Sequence, residues 1–278
     1  MVSLVSLLYL AVLRSLFIAS NGLILRELTL KYRISLTRRE WIGLPFATSL
    51  GNLLIPFSGG LVARAAYLKH RHSLPYAQFT SLLAATYLVY FCVIGAAGFV
   101  VVAASMAGTT YYIPLLLFFG IVVVTSTIVG ILPFGRLPWQ NRVAGTLNNA
   151  LEGWTVIKKD RALLVRLAFY SLLNLFLNGL SFWVVYRAFD PYSSSFASMF
   201  LVSLLSTFSI LVNLTPGNLG IAEAFTAVSS GILGLGTGMG ILVALTIRIS
   251  TLVPSLLLGA LFSFILGKGM TGTSGKHP

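Results

Sequence analysis

Five stretches of this 278-residue chain are long and apolar enough to cross a bilayer, and they constrain the fold more than any other feature. A helix needs about 20 apolar residues to span the hydrocarbon core. Charged residues make up only 9% of the chain, against about 25% in soluble domains, so a soluble enzyme, a disordered chain and a disulfide scaffold are excluded. We expect an all-α, polytopic transmembrane helix bundle with spans at about 3–25, 78–107, 112–132, 163–187 and 241–266.

The sequence carries no pattern typical of a metal site, a cofactor or a catalytic domain. Cys92 is the single cysteine, and no HExxH, GxxxxGK[ST] or GxSxG motif is present. We therefore expect no catalytic residue, no metal ligand and no cofactor. The first span lacks a clear cleavage site, so we expect it to be retained rather than removed as a signal peptide.

The net charge of +13 is best explained by membrane topology. In a soluble chain this excess would indicate a nucleic-acid partner, but basic residues of membrane proteins collect in cytoplasmic loops. Sixteen of the 19 Lys and Arg residues lie in segments 26–40, 64–72 and 136–166 or after the last span. We expect these segments to be cytoplasmic, in a multi-pass protein of the plasma membrane that binds no nucleic acid.

The remaining apolar sequence forms two pairs of shorter pieces, each broken by Pro and Gly. One pair covers about 42–70 and the other about 196–235. The first pair is flanked by basic segments and the second by nearly uncharged turns, so we expect two hairpins that enter from opposite faces. Helix 42–56 would be only about 22 Å long, which favours re-entry; whether the second hairpin crosses or re-enters stays open. We expect a single domain over 1–278, with a flexible cytoplasmic tail at 267–278.

The two hairpin tips share a short pattern. An Asn-Leu pair precedes Pro-x-x-x-Gly in both, starting at Asn52 and at Asn213. This could arise by chance in a Leu-rich and Gly-rich chain, but with opposed orientation it indicates an inverted repeat, which points to a transport site near the midplane. The breaks are either tight turns packed against neighbours or sites where freed amides bind an anionic group.

Three charged residues fall within apolar stretches. Arg248 lies in the last span, Glu223 follows the second tip, and Arg14 lies midway along the first span. A mid-span Arg should face the bundle interior and find a partner, so we expect Arg248 to pair with Glu223, either as a structural ion pair or as part of a substrate path. Arg248 could equally bind a phosphate, and Arg14 could instead snorkel to the interface.

Both tips resemble a known family. The stretch from Asn52 to Leu68 is similar to the first signature of the lysylphosphatidylglycerol synthase transmembrane region family, and Thr215 to Ala224 is similar to the second. Arg248 falls where this family has an Arg in its closing span. The resemblance covers about residues 17–266 and implies flippase-like lipid translocation without a synthase domain. One further N-terminal span is usual in the family, so we expect a truncated or divergent start.

The resemblance and the residues together give a concrete expectation. We expect a flippase-like protein that moves a polar-headed, phospho- or polyprenyl-linked lipid between leaflets, with an anionic or zwitterionic headgroup. The alternatives are a membrane-embedded transferase with Glu223 as base, or an accessory subunit that partners a lipid-modifying enzyme. The expected substrate path consists of Pro56, Gly59, Gly60, Arg64, Pro216, Gly217, Asn218, Gly220, Glu223 and Arg248.

Overall fold

The computed structural model describes residues 4–132, 145, 148, 151, 154, 155, 157–190, 195–212 and 214–271. Across these ranges the structure has nine α-helices and no strand, which confirms the all-α prediction. The helices are α1 (Leu4–Lys31), α2 (Arg38–Leu54), α3 (Gly59–His72), α4 (Tyr76–Ser105), α5 (Tyr112–Ile131), α6 (Arg161–Phe189), α7 (Phe196–Thr207), α8 (Ile221–Ile232) and α9 (Thr237–Thr271).

The five predicted spans are confirmed as helices. α1, α4, α5, α6 and α9 are each long and apolar enough to cross a membrane, and the chain is an integral membrane protein. The shortest of them, α5, has 20 residues and is about 30 Å long, the thickness of the hydrocarbon core. Apolar residues outside the core of the bundle remain exposed on these helices, as expected for surfaces that face lipid.

α2 and α3 form the first shorter pair. α2 begins earlier than the sequence suggested, because Thr37 and Glu40 form a capping box at its start. The two helices pack closely around two glycines: a Cβ on Gly51 would lie 2.7 Å from the Cα of Gly60. Small residues allow backbones to approach in this way. The turn between the helices, residues 55–58, is called the first turn below.

α7 and α8 form the second shorter pair. Between them lie two short 3-10 segments, Phe208–Val212 and Pro216–Asn218. Proline and two residues in the left-handed region, Gly217 and Asn218, prevent a continuous helix here. Residues 208–212 and 214–220 are called the second turn below; Asn213, which belongs to the repeated pattern, lies outside the described residues.

The ends of the helices group at two ends of the bundle. At one end, Lys31 of α1 pairs with Asp160, which caps α6, and the start of α2 meets the end of α3 where Glu40 bonds Tyr67 and His72. At the other end, the α8–α9 connection packs on α6 and α7 in one apolar cluster. α9 contacts α1, α2, α6 and α8, so one helix of each shorter pair packs against it.

Candidate functional site

A cavity of about 510 Å³ lies where the two turns approach each other. All nine helices except α5 contribute to its wall, together with the second turn. A Cβ added to Gly217 would lie 3.3 Å from Cδ1 of Leu53 and 3.4 Å from Nη1 of Arg248, so the second turn packs directly on α2 and α9. The cavity is thus enclosed by both short pairs and by the long spans around them.

Five of the ten residues expected on the substrate path line this cavity. They are Arg64, Gly217, Asn218, Glu223 and Arg248. The other five belong to the backbone of the turns rather than to the cavity wall: Pro56, Pro216 and Gly220 are exposed, while Gly59 and Gly60 pack against α2. The charged residues therefore meet at one place, and the helix-breaking residues shape the turns that carry them.

Arg248 holds the second turn through three groups. Its Nε donates to the Glu223 carboxylate, which confirms the predicted pairing. Nη1 donates to the carbonyl of Gly217 (3.0 Å) and Nη2 to that of Asn218 (3.2 Å). Carbonyls at a broken helix need partners when water is excluded, and one guanidinium supplies them here. Glu223 also accepts the amide of Gly220 (2.7 Å), so both of its carboxylate oxygens are engaged.

The first turn is held without charge. The side chain of Asn52 accepts the amide of Gly60 (2.9 Å), near the start of α3. Phe57 and Ser58 both adopt positive φ, 54° and 59°, which is uncommon for residues other than glycine. At each turn, a backbone amide near the start of the following helix donates to a side chain of this protein: Gly60 to Asn52 and Gly220 to Glu223. For these two amides the packed-turn interpretation fits the structure better than an anion site.

Arg14 is buried in the cavity wall, with 7% of its surface exposed. Its Nε donates to Thr251 (2.9 Å) and its Nη1 to the side-chain oxygen of Asn178 (2.8 Å). The guanidinium also lies over the ring of Phe17, 4.3 Å from its centroid. Arg14 thus faces the bundle interior rather than snorkelling, and every one of these partners is neutral.

Arg64 reaches the same cavity from α3. Its Nε donates to the hydroxyl of Thr48 on α2 (2.8 Å), and no carboxylate pairs with it among the residues that the structure describes. The charged residues in the described wall are three arginines and one glutamate, a formal charge of +2. Glu223 balances the charge of Arg248. The excess positive charge of the wall therefore lies on Arg14 and Arg64.

Sequence reasoning missed the uncharged polar side chains of the wall. Asn174 and Asn178 lie four residues apart on one face of α6, and this spacing in an apolar span was a usable signal. Asn174 accepts from Tyr90 (3.0 Å) and donates to the backbone of α1. Two further wall atoms, the Ser206 hydroxyl and the Asn218 side-chain oxygen, are buried without a hydrogen-bond partner among the described residues.

Sequence reasoning also missed a second buried acid, Glu40. Only 5% of it is exposed, and its oxygens bond Thr37, Tyr67 and His72. Burial raises the pKa of the Glu40 carboxyl, but these hydrogen bonds outweigh burial and hold that pKa below its ordinary value. The Thr-x-x-Glu spacing of a capping box was the signal in the sequence. Through these bonds Glu40 links the start of α2 to the end of α3, at a distance from the cavity.

Within the ranges that the structure covers, no three His, Cys, Asp or Glu side chains lie close enough together to hold a metal ion.

The chain was compared with known protein families, curated proteins and solved structures. The family model described as "Lysylphosphatidylglycerol synthase TM region" matches residues 1–259. No curated protein matches the chain, and no solved structure does.

Proposed function

The chain belongs to the lysylphosphatidylglycerol synthase TM region family, and from this premise we propose that it moves a polar-headed lipid between leaflets as a flippase-like transporter. The observation that carries the proposal is the cavity with two arginines, Arg14 and Arg64, that bond no carboxylate in the part of the chain that the structure describes. Buried charge inside a membrane is expensive and marks substrate pathways. A phosphate-bearing headgroup would supply the missing negative charge.

The proposed architecture consists of two re-entrant hairpins in opposite orientation within one membrane domain over 1–278. α2 and α3 have 17 and 14 residues and α7 and α8 have 12 each, so all four are shorter than the roughly 30 Å core. The outer ends of α2 and α3 meet at Glu40, whereas the connection after α8 belongs to the opposite apolar cluster. These contacts support an inverted repeat whose turns meet at the midplane.

The proposed topology places the Lys31–Asp160 end of the bundle in the cytoplasm and the protein in the plasma membrane. Basic residues such as Arg38, Arg39 and Arg71 lie at that end and are exposed. Excess Lys and Arg on short loops orient membrane proteins in this direction.

In the proposed mechanism the headgroup occupies the cavity while the acyl or prenyl chains stay in lipid. The guanidiniums of Arg14 and Arg64 replace the water that a phosphate loses on leaving the interface. Large apolar residues of the turns, among them Ile55, Phe57 and Leu219, are more than half exposed, so a lipid chain can lie against them. Gly217, Asn218, Glu223 and Arg248 fix the second turn as one wall of the path.

The structure favours transport over a transferase with Glu223 as its base. A general base must bind the substrate proton readily. The ion pair with Arg248 and the bond from the Gly220 amide both stabilise the ionised carboxylate of Glu223, so protonation of this residue is disfavoured.

Lipid scrambling in liposomes tests the proposal. Purified protein is reconstituted with fluorescent lipids of several headgroup classes, and dithionite quenching reports their exposure in the outer leaflet. We expect transport by the wild type, slower transport in Arg64→Gln, which removes a charge on which the proposal rests, and loss in Arg248→Ala and Glu223→Ala, which insert but lose the contacts of the second turn. Arg26→Gln is the matched control, because Arg26 is exposed on α1 and outside the cavity. Undiminished transport in Arg64→Gln, or no transport by the wild type for any lipid, would refute the proposal.

A further inference from the structure

Arg14 and Arg64 have unused hydrogen-bonding capacity. A guanidinium carries five N–H groups. Among the described residues, Arg14 uses two of them, on Thr251 and Asn178, which leaves three. Within the same residues Arg64 uses one, on Thr48, which leaves four. Arg248 differs from both in its partners. Its guanidinium bonds the carbonyls of Gly217 and Asn218 in the second turn, and Glu223 balances its charge.

The hydrogen bonds along α9 place Arg14 and Arg64 at neighbouring levels of the cavity. Thr251 of α9 accepts a hydrogen bond from Arg14. Four residues later on α9, the hydroxyl of Ser255 bonds that of Ser49 on α2. Thr48 itself accepts from Arg64. Four residues of helix rise about 6 Å, so the groups that bond Arg14 and Arg64 lie at levels about one helical turn apart along α9.

Two tyrosines of α4 indicate a similar axial spacing between Arg14 and Arg64. Tyr90 interacts electrostatically with Arg14, and Tyr87 interacts electrostatically with Arg64. The two tyrosines are three residues apart, about 4.5 Å along the axis, and both line the cavity. The Tyr87 hydroxyl makes no hydrogen bond with any described residue, so a further donor is present in the cavity wall.

From the charge of this arrangement we infer that the cavity binds a doubly negative phosphate group, a phosphomonoester or diphosphate, between Arg14 and Arg64. This deepens the proposed function, on which it rests, by naming the headgroup class. A phosphomonoester carries a charge of about −1.5 to −2 at neutral pH and balances both arginines. A phosphodiester carries one negative charge and leaves one arginine unbalanced, and a zwitterionic head leaves the net charge of +2 unchanged.

Lipids with matched tails test the inference. Purified wild-type protein is titrated with dioleoyl phosphatidic acid, a monoester, and with dioleoyl phosphatidylglycerol, a diester, and binding is followed by native mass spectrometry. One additional charge-assisted interaction predicts a preference for the monoester of roughly tenfold or more at pH 8. The preference should shrink at pH 5.5, because the second ionisation of a phosphomonoester lies near pH 6. Equal affinity for the two lipids at pH 8 would overturn the inference.

Variants tie the preference to the two arginines. Arg64→Gln should reduce the monoester preference to about twofold or less while affinity for the diester changes little, and Arg26→Gln should leave both affinities unchanged. Arg14→Gln should act like Arg64→Gln; if it fails to fold, Arg14→Lys, which keeps the charge, should retain most of the preference. An unchanged preference in Arg64→Gln would place the phosphate elsewhere and overturn the inference.

Two further arms separate this inference from the proposed function. Scrambling of phosphatidylglycerol as fast as phosphatidic acid would leave transport standing and overturn the doubly negative headgroup. Soluble diphosphate that displaces phosphatidic acid at equal affinity, together with no scrambling of any lipid, would overturn lipid transport and retain the anion site. We expect the lipid to bind more tightly than soluble diphosphate, because most of the cavity wall is apolar.

Discussion

The two turns that enclose the cavity are stabilised by different physics. The first turn depends on close glycine packing and on a neutral hydrogen bond from the Gly60 amide to Asn52. The second depends on the Arg248–Glu223 ion pair and on two carbonyls bonded to the same guanidinium. Because the first turn needs no charge for its own structure, the arginine beside it, Arg64, is available to a ligand.

This difference distinguishes the charge of Arg248, which Glu223 balances, from the charge of Arg14 and Arg64, which we propose binds a ligand in the same cavity. Arg248 fits a structural role at the second turn, since removing it would leave the Glu223 carboxylate without its counter-ion and the carbonyls of Gly217 and Asn218 without the guanidinium that bonds them. Arg14 and Arg64 bond only neutral groups, and removal of either leaves no buried charge unbalanced. The comparison therefore predicts opposite patterns for the two kinds of arginine: loss of stability for one and loss of ligand affinity for the other.

The largest effect on stability is expected from Arg248→Ala. Removing one partner of a fully buried ion pair destabilises by about 3–5 kcal/mol; the Arg248 and Glu223 side chains are 17% and 14% exposed, so we expect Arg248→Ala to lie near the lower end of that range. Arg64→Ala removes one hydrogen bond to Thr48 and should destabilise by about 1 kcal/mol. Unfolding of both variants in the same detergent micelles, followed by circular dichroism, measures the difference. The double variant Arg248→Met with Glu223→Gln should recover part of the loss. Equal destabilisation by Arg64→Ala and Arg248→Ala would remove the distinction drawn between them.

An intermediate effect is expected at the first turn from Gly60→Ala. The added Cβ would lie 2.0 Å from the carbonyl oxygen of Thr48, so α2 and α3 must separate, at about 1–3 kcal/mol. Gly120→Ala on α5 is the matched control, because its Cβ would meet only the Phe99 ring at 3.7 Å and alanine favours the helix by up to about 1 kcal/mol. If both substitutions prove neutral in thermal unfolding, glycine packing does not hold the first turn.

The smallest effect is expected from Asn52→Ala. It removes the acceptor for the Gly60 amide, and such a capping bond contributes about 1 kcal/mol. Glu223→Ala, which removes the equivalent acceptor at the second turn together with the ion pair, should destabilise by at least about 2 kcal/mol more. The same unfolding assay compares them, and a larger loss in Asn52→Ala would reverse the assignment of neutral and charged turns.

Much of the site was accessible from the sequence because its signals are local. An arginine in the middle of an apolar span and one acid just after a Pro-Gly break already predicted the Arg248–Glu223 pair. Asn174 was not found, because its importance depends on the backbone of α1, 157 residues away. Glu40 was assigned to a basic loop, because a hydropathy reading stops at the apolar run and overlooks the capping box that extends α2.

The sequence by itself determined the spans, the breaks and the scarcity of buried charge, since each depends on hydrophobicity and backbone chemistry within about 20 neighbouring residues. Only the tertiary structure decided which charges are balanced. Arg14 bonds Thr251 across 237 residues of chain, and Arg64 finds a hydroxyl where Arg248 finds a carboxylate. These partners follow from how packed helices are rotated and offset against one another, which no local pattern of residues records.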